Sequence, residues 1–60
     1  MNYETGELSL LDAMNFLDSF IDRVGTESQI KGSKKGFYTV ICFELTVGEV
    51  EICKDIENNL

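Results

Sequence analysis

The sequence predicts an α+β domain in which one N-terminal amphipathic helix packs on a small antiparallel sheet of two or three strands, in the order α-β-β or α-β-β-β. Three observations support this prediction. Apolar residues recur at helical spacing over residues 10–24. The segment GFYTVICFEL is the most apolar stretch of the chain and is rich in β-branched and aromatic residues. The 60 residues are 43% hydrophobic and 27% charged, which is typical of one folded domain.

The helix is expected to begin at Ser9 and to end at Gly25. Ser9 and Asp12 have the spacing of a capping box, and Gly25 follows the last apolar position, where a residue with positive φ often ends a helix. One apolar stripe is expected to face the sheet: Leu10, Ala13, Met14, Leu17, Phe20, Ile21 and Val24. Phe16 lies on the flank of this stripe and Leu11 nearly opposite it, so neither is expected at the centre of the core.

The remaining chain is predicted to be a connector followed by a β-hairpin. The connector, TESQIKGSKKG, is polar and basic and contains a turn between Gly32 and Gly36. A short strand around 27–31 is an alternative that the sequence leaves open. The single domain therefore divides into an N-terminal segment, a helix, a connector, a hairpin and a fraying tail, at residues 1–8, 9–25, 26–36, 37–56 and 57–60.

The register of the hairpin is predicted from its hydrophobic match. Its strands are expected at 37–45 and 49–56, and a two-residue loop at Val47-Gly48 makes one face consistently apolar. The residues expected to meet the helix are Phe37, Ile41, Phe43, Leu45, Val50 and Ile52. The same register sets two pairs on the outer face: Cys42 opposite Cys53 and Glu44 opposite Glu51.

No residue pattern indicates catalysis, a metal or a cofactor. The chain has no His, and its two cysteines are expected to be free thiols, because no secretion signal precedes them. With no His and no Cys-x-x-Cys pair, a zinc site is not expected. There is no long apolar run, so no membrane contact is expected, and the expected compartment is the cytoplasm, or the host cytoplasm if the gene is viral.

Acidic residues are concentrated at the two ends of the chain. Residues 1–22 carry a net charge of −5, residues 23–43 carry +3 and residues 44–60 carry −4, which together give −6. Such a charge speeds association with basic surfaces, and large basic surfaces are typical of nucleic-acid-binding proteins. The acidic residues predicted to bind a partner are Asp12, Asp18, Asp22, Glu44, Glu49 and Glu51. The alternative is that this charge serves only solubility.

An apolar outer face is predicted as a second contact surface. If the helix covers one side of the sheet, the other side remains open, and exposed apolar groups rimmed by charge usually mark an interface. The residues assigned to this surface are Phe16, Tyr38, Val40 and Cys42. Tyr38 is the expected anchor, because tyrosine is enriched at interface hot spots. Direct nucleic-acid binding is not expected, because three lysines in the connector face a charge of −9 at the two ends.

Together these features predict a small acidic binding protein that inhibits or regulates a larger protein with a basic surface, as a nucleic-acid mimic. In size, acidity and lack of catalytic residues the chain resembles the small inhibitors that bacteriophages encode, including nucleic-acid mimics and anti-CRISPR proteins. This resemblance is one of class and extends to no motif. The alternative is a homodimeric structural or assembly module with no inhibitory role, its outer sheet face buried against a second copy.

Overall fold

In the computed structural model, which describes residues 1–60, two helices contribute to one core on one side of a three-stranded antiparallel sheet. In chain order the elements are β1 (Tyr3–Glu4), α1 (Leu10–Arg23), β2 (Ser28–Gly32), β3 (Tyr38–Cys42) and α2 (Val47–Asn58). β3 is the central strand, with β1 and β2 as the edges. The α+β class, the first helix and the antiparallel sheet are confirmed. The element order, β-α-β-β-α, differs from the prediction because a second helix closes the chain.

The N-terminal segment, for which no strand was predicted, supplies the edge strand β1. Tyr3 lies opposite the last residue of β3, whereas Leu8 lies opposite its first residue, Tyr38. One extra residue therefore lies between these two pairings, as in a β-bulge. Thr5 bonds to β3 at this point: its Oγ1 accepts a hydrogen bond from the N–H of Val40 at 2.9 Å, and its N–H donates to the carbonyl of Val40 at 3.0 Å.

The ends of α1 lie where the sequence predicts them. Ser9 is the N-cap, and its Oγ accepts a hydrogen bond from the N–H of Asp12 at 3.2 Å. Beyond the other end, Gly25 has a φ of 81° and donates its N–H to the carbonyl of Phe20 at 3.0 Å. A residue with a side chain would be strained at this positive φ, which explains why glycine ends the helix.

The buried side of α1 is rotated relative to the predicted stripe. Phe16 and Phe20 are fully buried, whereas Met14 and Ile21, both expected in the core, are 53% and 59% exposed. Phe16 turns inward because aromatic neighbours surround it: its ring stacks on Tyr3 at 6.4 Å and on Phe20 at 6.3 Å between centroids. The placement of Phe16 outside the core was therefore wrong.

The C-terminal segment is helix α2 in place of the predicted second hairpin strand. Thr46 is its N-cap, with a complete capping box: the Oγ1 of Thr46 accepts from the N–H of Glu49 at 3.2 Å, and the Oε1 of Glu49 accepts from the N–H of Thr46 at 2.8 Å. Val50, Cys53 and Ile56 recur every third residue and turn one side of α2 toward the core. The predicted hairpin pairings therefore do not form.

The central strand presents to the helices the side that was expected to be exposed. Val40 and Cys42 are fully buried, and Tyr38 is half-buried against the core. The opposite side of the strand, which the sequence pattern assigned to the core, lies outside the core cluster: Phe37, Ile41 and Phe43. Because successive residues of a strand point to opposite sides, a wrong choice of side misplaces every residue of the strand.

The connector contains the short strand that the sequence left open. β2 pairs along its length with β3, and the predicted turn follows: the N–H of Ser33 donates to the carbonyl of Phe37 at 3.0 Å, and Gly36 has a φ of 82°. Ile30 is the one apolar residue of β2 and is 37% exposed. β2 therefore forms as an edge strand with little burial of its own.

Candidate interaction surfaces

The predicted acidic residues lie on the two helices and on one loop, not on the outer side of the sheet. Asp18 and Asp22 are exposed on α1, as predicted. Glu51 is exposed on α2, where it pairs with Lys54 at 3.5 Å. The structure thus brings these three carboxylates to the solvent-exposed sides of two helices that pack against each other.

The other three predicted acidic residues lie at the ends of helices or in a loop. Asp12 lies in the first turn of α1, where a carboxylate interacts favourably with the positive end of the helix dipole. Glu49 is engaged in the capping box of α2. Glu44, in the loop after β3, has a φ of 58° and donates its N–H to the Oδ1 of Asn2 at 3.4 Å. Each of these three residues therefore has a structural role close to its own position in the chain.

Negative charge is concentrated on the helices. α1 and α2 carry seven carboxylates against Arg23 and Lys54, a net charge of −5. The rest of the chain carries four carboxylates against three lysines, a net charge of −1. Asp18 and Asp22 are outside the three ion pairs of the structure. One side of the protein is therefore acidic, while the sheet and its turns are close to neutral.

Two carboxylates that join α2 to other elements were missed because the C-terminal segment was read as a strand and a tail. The Oδ2 of Asp55 binds Arg23 of α1 at 3.1 Å, and both side chains are well exposed. Glu57 links α2 to the N-terminal segment: its Oε1 accepts from the hydroxyl of Tyr3, and its Oε2 accepts from the N–H of Gly6 at 2.9 Å. The letters TVGE at the start of α2 carry the capping-box pattern that could have revealed this helix.

The contact between Tyr3 and Glu57 changes the acidity of the tyrosine. Burial raises the pKa of Tyr3 above its ordinary value, and the hydrogen bond to the Glu57 carboxylate raises it further, since a negative neighbour disfavours the phenolate. Tyr3 therefore stays protonated and keeps donating to Glu57 well into alkaline solution. This pair fastens the C-terminal turn of α2 to β1.

Most of the predicted apolar contact surface lies inside the protein. Phe16, Val40 and Cys42 have 0% exposure, so the prediction that they form an exposed face is wrong. Tyr38 is half-buried, and its backbone N–H and carbonyl both bond to Leu8, at 2.8 and 2.7 Å. In their present positions the three buried side chains cannot contact a partner.

The two cysteines meet in the core, between β3 and α2. Both are free and fully buried, and not paired across a hairpin as the predicted register implied. Burial raises the pKa of the Cys42 thiol to about 12, with a further contribution from the neighbouring Cys53. Burial also raises the pKa of Cys53. Because the thiolate is the reactive form, both side chains behave as small apolar groups at neutral pH.

Two apolar surfaces remain accessible. The first, which we call the α1 flank, is a line of residues on one side of the helix: Leu10, Met14, Leu17 and Ile21. Leu10, Met14 and Ile21 are 50%, 53% and 59% exposed. The second, the open sheet face, is the uncovered side of β3: Phe37, Thr39, Ile41 and Phe43. Phe37 is the most exposed of these, at 40%, and Thr39 is only 8% exposed.

The basic turn between β2 and β3 is held by an acidic residue. Glu7 accepts a hydrogen bond from the hydroxyl of Ser33 at 2.6 Å and lies 3.5 Å from the Nζ of Lys34. The Ser33 hydrogen bond, followed by the charge of Lys34, lowers the pKa of Glu7. Lys34 also lies 5.2 Å from the centroid of the Phe37 ring.

The surface contains no pocket, and no three His, Cys, Asp or Glu side chains are grouped to hold a metal ion. Neither helix combines the length and apolar character that a membrane crossing requires. No family model matches the chain, and neither a curated protein nor a solved structure matches it.

Proposed function

We propose that this protein is a non-catalytic acidic binding protein, which docks the exposed sides of α1 and α2 on the basic surface of a larger, nucleic-acid-binding protein. By covering that surface it acts as a nucleic-acid mimic and inhibits its target, in the cytoplasm of the cell or of a host cell. The observation that carries this proposal is the one-sided charge, with −5 of the net −6 on the two helices.

The solvent-exposed side of α1 presents two of its three carboxylates, Asp18 and Asp22, in a line. Leu11, Asn15, Asp18 and Asp22 follow the i, i+4, i+7, i+11 spacing that aligns side chains along one side of a helix. Asp18 and Asp22 are one helical turn apart, about 6 Å along the axis. A row of unpaired charges suits a basic groove better than a scattered distribution does.

The ion pairs on the helices leave their carboxylates available for a partner. Arg23 and Asp55 are 44% and 59% exposed as side chains, and Lys54 and Glu51 are 54% and 68% exposed. Exposed pairs of this kind contribute about 0–1 kcal/mol, so a guanidinium or ammonium group of a partner can displace the internal cation at small cost. The acidic side therefore acts mainly through steering and charge complementarity.

The test compares two variants of equal net charge. Asp18→Lys with Asp22→Lys changes the exposed sides of α1 and α2, which we call the helix layer, and Glu4→Lys with Glu27→Lys changes the sheet side. Either pair of substitutions moves the net charge from −6 to −2. All four positions are exposed, and Lys is a better helix former than Asp, so folding is expected to be retained. Each immobilised protein is exposed to nuclease-treated bacterial lysate and then eluted with duplex DNA.

Under the proposal, wild type and the sheet variant retain the same nucleic-acid-binding protein and release it to duplex DNA, while the helix variant retains none. Equal loss in both variants would mean that net charge alone causes retention. Full retention by the helix variant would remove the helix layer from the mechanism. Circular dichroism of each variant checks that the fold is intact.

A further inference from the structure

The outer edge of β2 has unpaired backbone groups arranged symmetrically about its central residue. Backbone hydrogen bonds join Glu27 and Ser33 to the β3 side of the sheet, at 2.9 and 3.0 Å. Hydrogen-bonding direction alternates along an antiparallel strand, so the N–H and C=O groups of Ser28, Ile30 and Gly32 point away from β3. Ile30 is the middle of these three residues. A free edge of this kind is a template for another strand.

The α1 flank lies on the same side of the molecule as this edge. On the other side of the helix, Phe16 stacks on Tyr3 of β1 and Arg23 binds Asp55 of α2. The residues around Met14 therefore face away from β1 and α2, toward β2. No element covers Leu10, Met14 and Ile21 of the α1 flank, since each of these side chains is at least half exposed.

Ile30 continues this apolar surface onto the sheet. It lies opposite Val40, whose side chain is buried beneath the helices, and directly paired residues project to the same side. Ile30 therefore points to the helix side of the sheet, where it is 37% exposed beside the α1 flank. The unpaired edge and the exposed apolar groups thus form one surface.

The centre of the α1 flank is level with Ile30. Leu8, just before α1, and Gly32, at the end of β2, both pair with Tyr38, so α1 begins at the Gly32 end of the strand. It ends just before the chain enters β2 at Ser28. α1 therefore runs antiparallel to β2, and the middle of its flank falls near the middle of the strand.

We propose that the occupant of this surface is a second copy of the chain, joined through β2 in an antiparallel dimer whose two-fold axis passes Ile30. Ile30 of each copy then exchanges two backbone hydrogen bonds with Ile30 of the other, and Ser28 pairs with Gly32 of the other copy at both ends. The three-stranded sheet becomes one continuous six-stranded sheet. The two α1 flanks pack against each other across the axis, and the inference does not depend on the proposed function.

Charge at this surface is compatible with self-association although each copy is acidic. Neither the α1 flank nor β2 contains a carboxylate. The register places Lys31 opposite Gln29 of the other copy, so no like charges lie directly opposite each other. Glu27 falls opposite Ser33 of the other copy, next to its basic turn. The acidic sides of α1 and α2 remain exposed in the dimer.

The spacing of the elements is compatible with this dimer, and the area that a weak dimer needs is a modest part of the surface of the chain. Strands about 4.8 Å apart leave room for two α1 helices at an interaxial distance of about 8–10 Å across the axis. Complexes at the small end of the stable range bury about 600 Å² on each partner, roughly a sixth of the 3834 Å² surface of this chain. We therefore expect a dissociation constant in the micromolar range.

Sedimentation from micromolar to millimolar concentration tests the dimer with two matched variants. Ile21→Lys places a charge in the α1 flank, whereas Leu11→Lys places the same charge elsewhere on α1; the two positions are 59% and 68% exposed. Ile21→Lys is expected to weaken dimerisation at least about tenfold, and Leu11→Lys by less than about twofold. Added salt is expected to strengthen the wild-type dimer, because it screens the repulsion between two copies of charge −6.

Cysteine cross-linking tests the register. With the axis at Ile30, the two Cα atoms of an Ile30→Cys dimer lie about 5.5 Å apart, within disulfide range. The Cα atoms of a Gln29→Cys dimer lie about 8 Å apart, beyond it. Ile30→Cys is therefore expected to form a covalent dimer under mild oxidation, and Gln29→Cys is not. The native cysteines do not compete, since both are fully buried.

A chain that stays monomeric at millimolar concentration would overturn the proposal. So would equal weakening by the two lysine variants, or cross-linking of Gln29→Cys as fast as Ile30→Cys. A monomeric chain whose capture of another protein is lost in Ile21→Lys but kept in Leu11→Lys would place that protein, not a second copy, on this surface. That outcome also overturns the dimer, and leaves the acidic helix layer to be judged by its own variants.

Discussion

Replacing Phe16 and Ile21 separately by alanine tests how α1 is seated in the core. Phe16 is fully buried, and truncating a buried phenylalanine costs about 3–5 kcal/mol. Ile21 is 59% exposed, so removing its three partly buried outer carbons costs about 1 kcal/mol, at about 0.8 kcal/mol for each fully buried carbon. Alanine is the better helix former and offsets this cost by a few tenths of a kcal/mol. The expected difference between the two variants is about 3 kcal/mol. The predicted stripe, with Ile21 inside and Phe16 on the flank, implies the reverse order.

The assay is urea unfolding at two protein concentrations, because a contribution from the dimer would make the unfolding midpoint depend on concentration. A 60-residue domain has a free energy of unfolding of about 3–9 kcal/mol, so Phe16→Ala can leave too little folded protein to measure. In that case the milder variants Phe16→Leu and Ile21→Val allow the same comparison. They are expected to lower the free energy of unfolding by about 1 and about 0.3 kcal/mol, respectively. Equal costs, or a larger cost at Ile21, would refute the seating of the helix.

Three further predictions concern other parts of the fold. Glu57→Ala is expected to lower the free energy of unfolding by about 2 kcal/mol, because it removes both hydrogen bonds that fasten α2 to the N-terminal segment. Asp55→Ala removes only an exposed ion pair and is expected to lower it by less than about 1 kcal/mol. Thermal unfolding of the two variants measures the difference. Glu44→Gly is expected to gain about 1 kcal/mol by relieving the φ of 58°, and an unchanged urea midpoint would contradict a left-handed residue there. Stability under reducing conditions is expected to fall as the pH rises. The thiols of the unfolded chain ionise near about pH 8.5, whereas Cys42 of the folded protein keeps its proton to about 12. Between these values the unfolded state holds fewer protons than the folded state, so a rise in pH favours unfolding. A flat urea midpoint from neutral to alkaline pH would contradict the burial of the thiols.

The first helix could be predicted from sequence because its ends carry local signals. Ser9 supplies an N-cap and Gly25 a residue with positive φ, and both act through atoms within a few residues along the chain. Its rotation could not be predicted in the same way. Seven apolar positions made a stripe wider than the core could bury, and the position of Phe16 depends on Tyr3, a residue that is distant in sequence.

The second helix was missed although its start is marked in the sequence. Glu49, Val50, Glu51 and Ile52 alternate polar and apolar over four residues, which resembles a half-buried strand. The spacing of Val50 with the later apolar residues, and the capping box that precedes it, indicate a helix instead. Over so short a window the capping signal was the more informative, since it requires specific side-chain atoms rather than a general pattern.

The orientation of β3 depends on information that its own residues do not contain. Both sides of the strand are largely apolar, so its alternation does not determine which side faces the helices. Tyr38, Val40 and Cys42 face inward because α1 and α2 lie on their side. Most residues of the predicted apolar contact surface are therefore buried in the core. Asp18 and Asp22 are exposed as predicted, because they lie on a helix whose ends the sequence predicts correctly.

The most direct test of the central claim, that acidic helices bind a basic partner, is the dissociation constant of the captured protein over a series of salt concentrations. The affinity is expected to fall as the salt concentration rises, because the binding energy comes largely from exposed charges that salt screens. Dimerisation of the chain alone is expected to move in the opposite direction, so the two processes can be told apart in one set of solutions. An affinity for the partner that does not change with salt would show that the acidic side of the helices does not provide the binding energy.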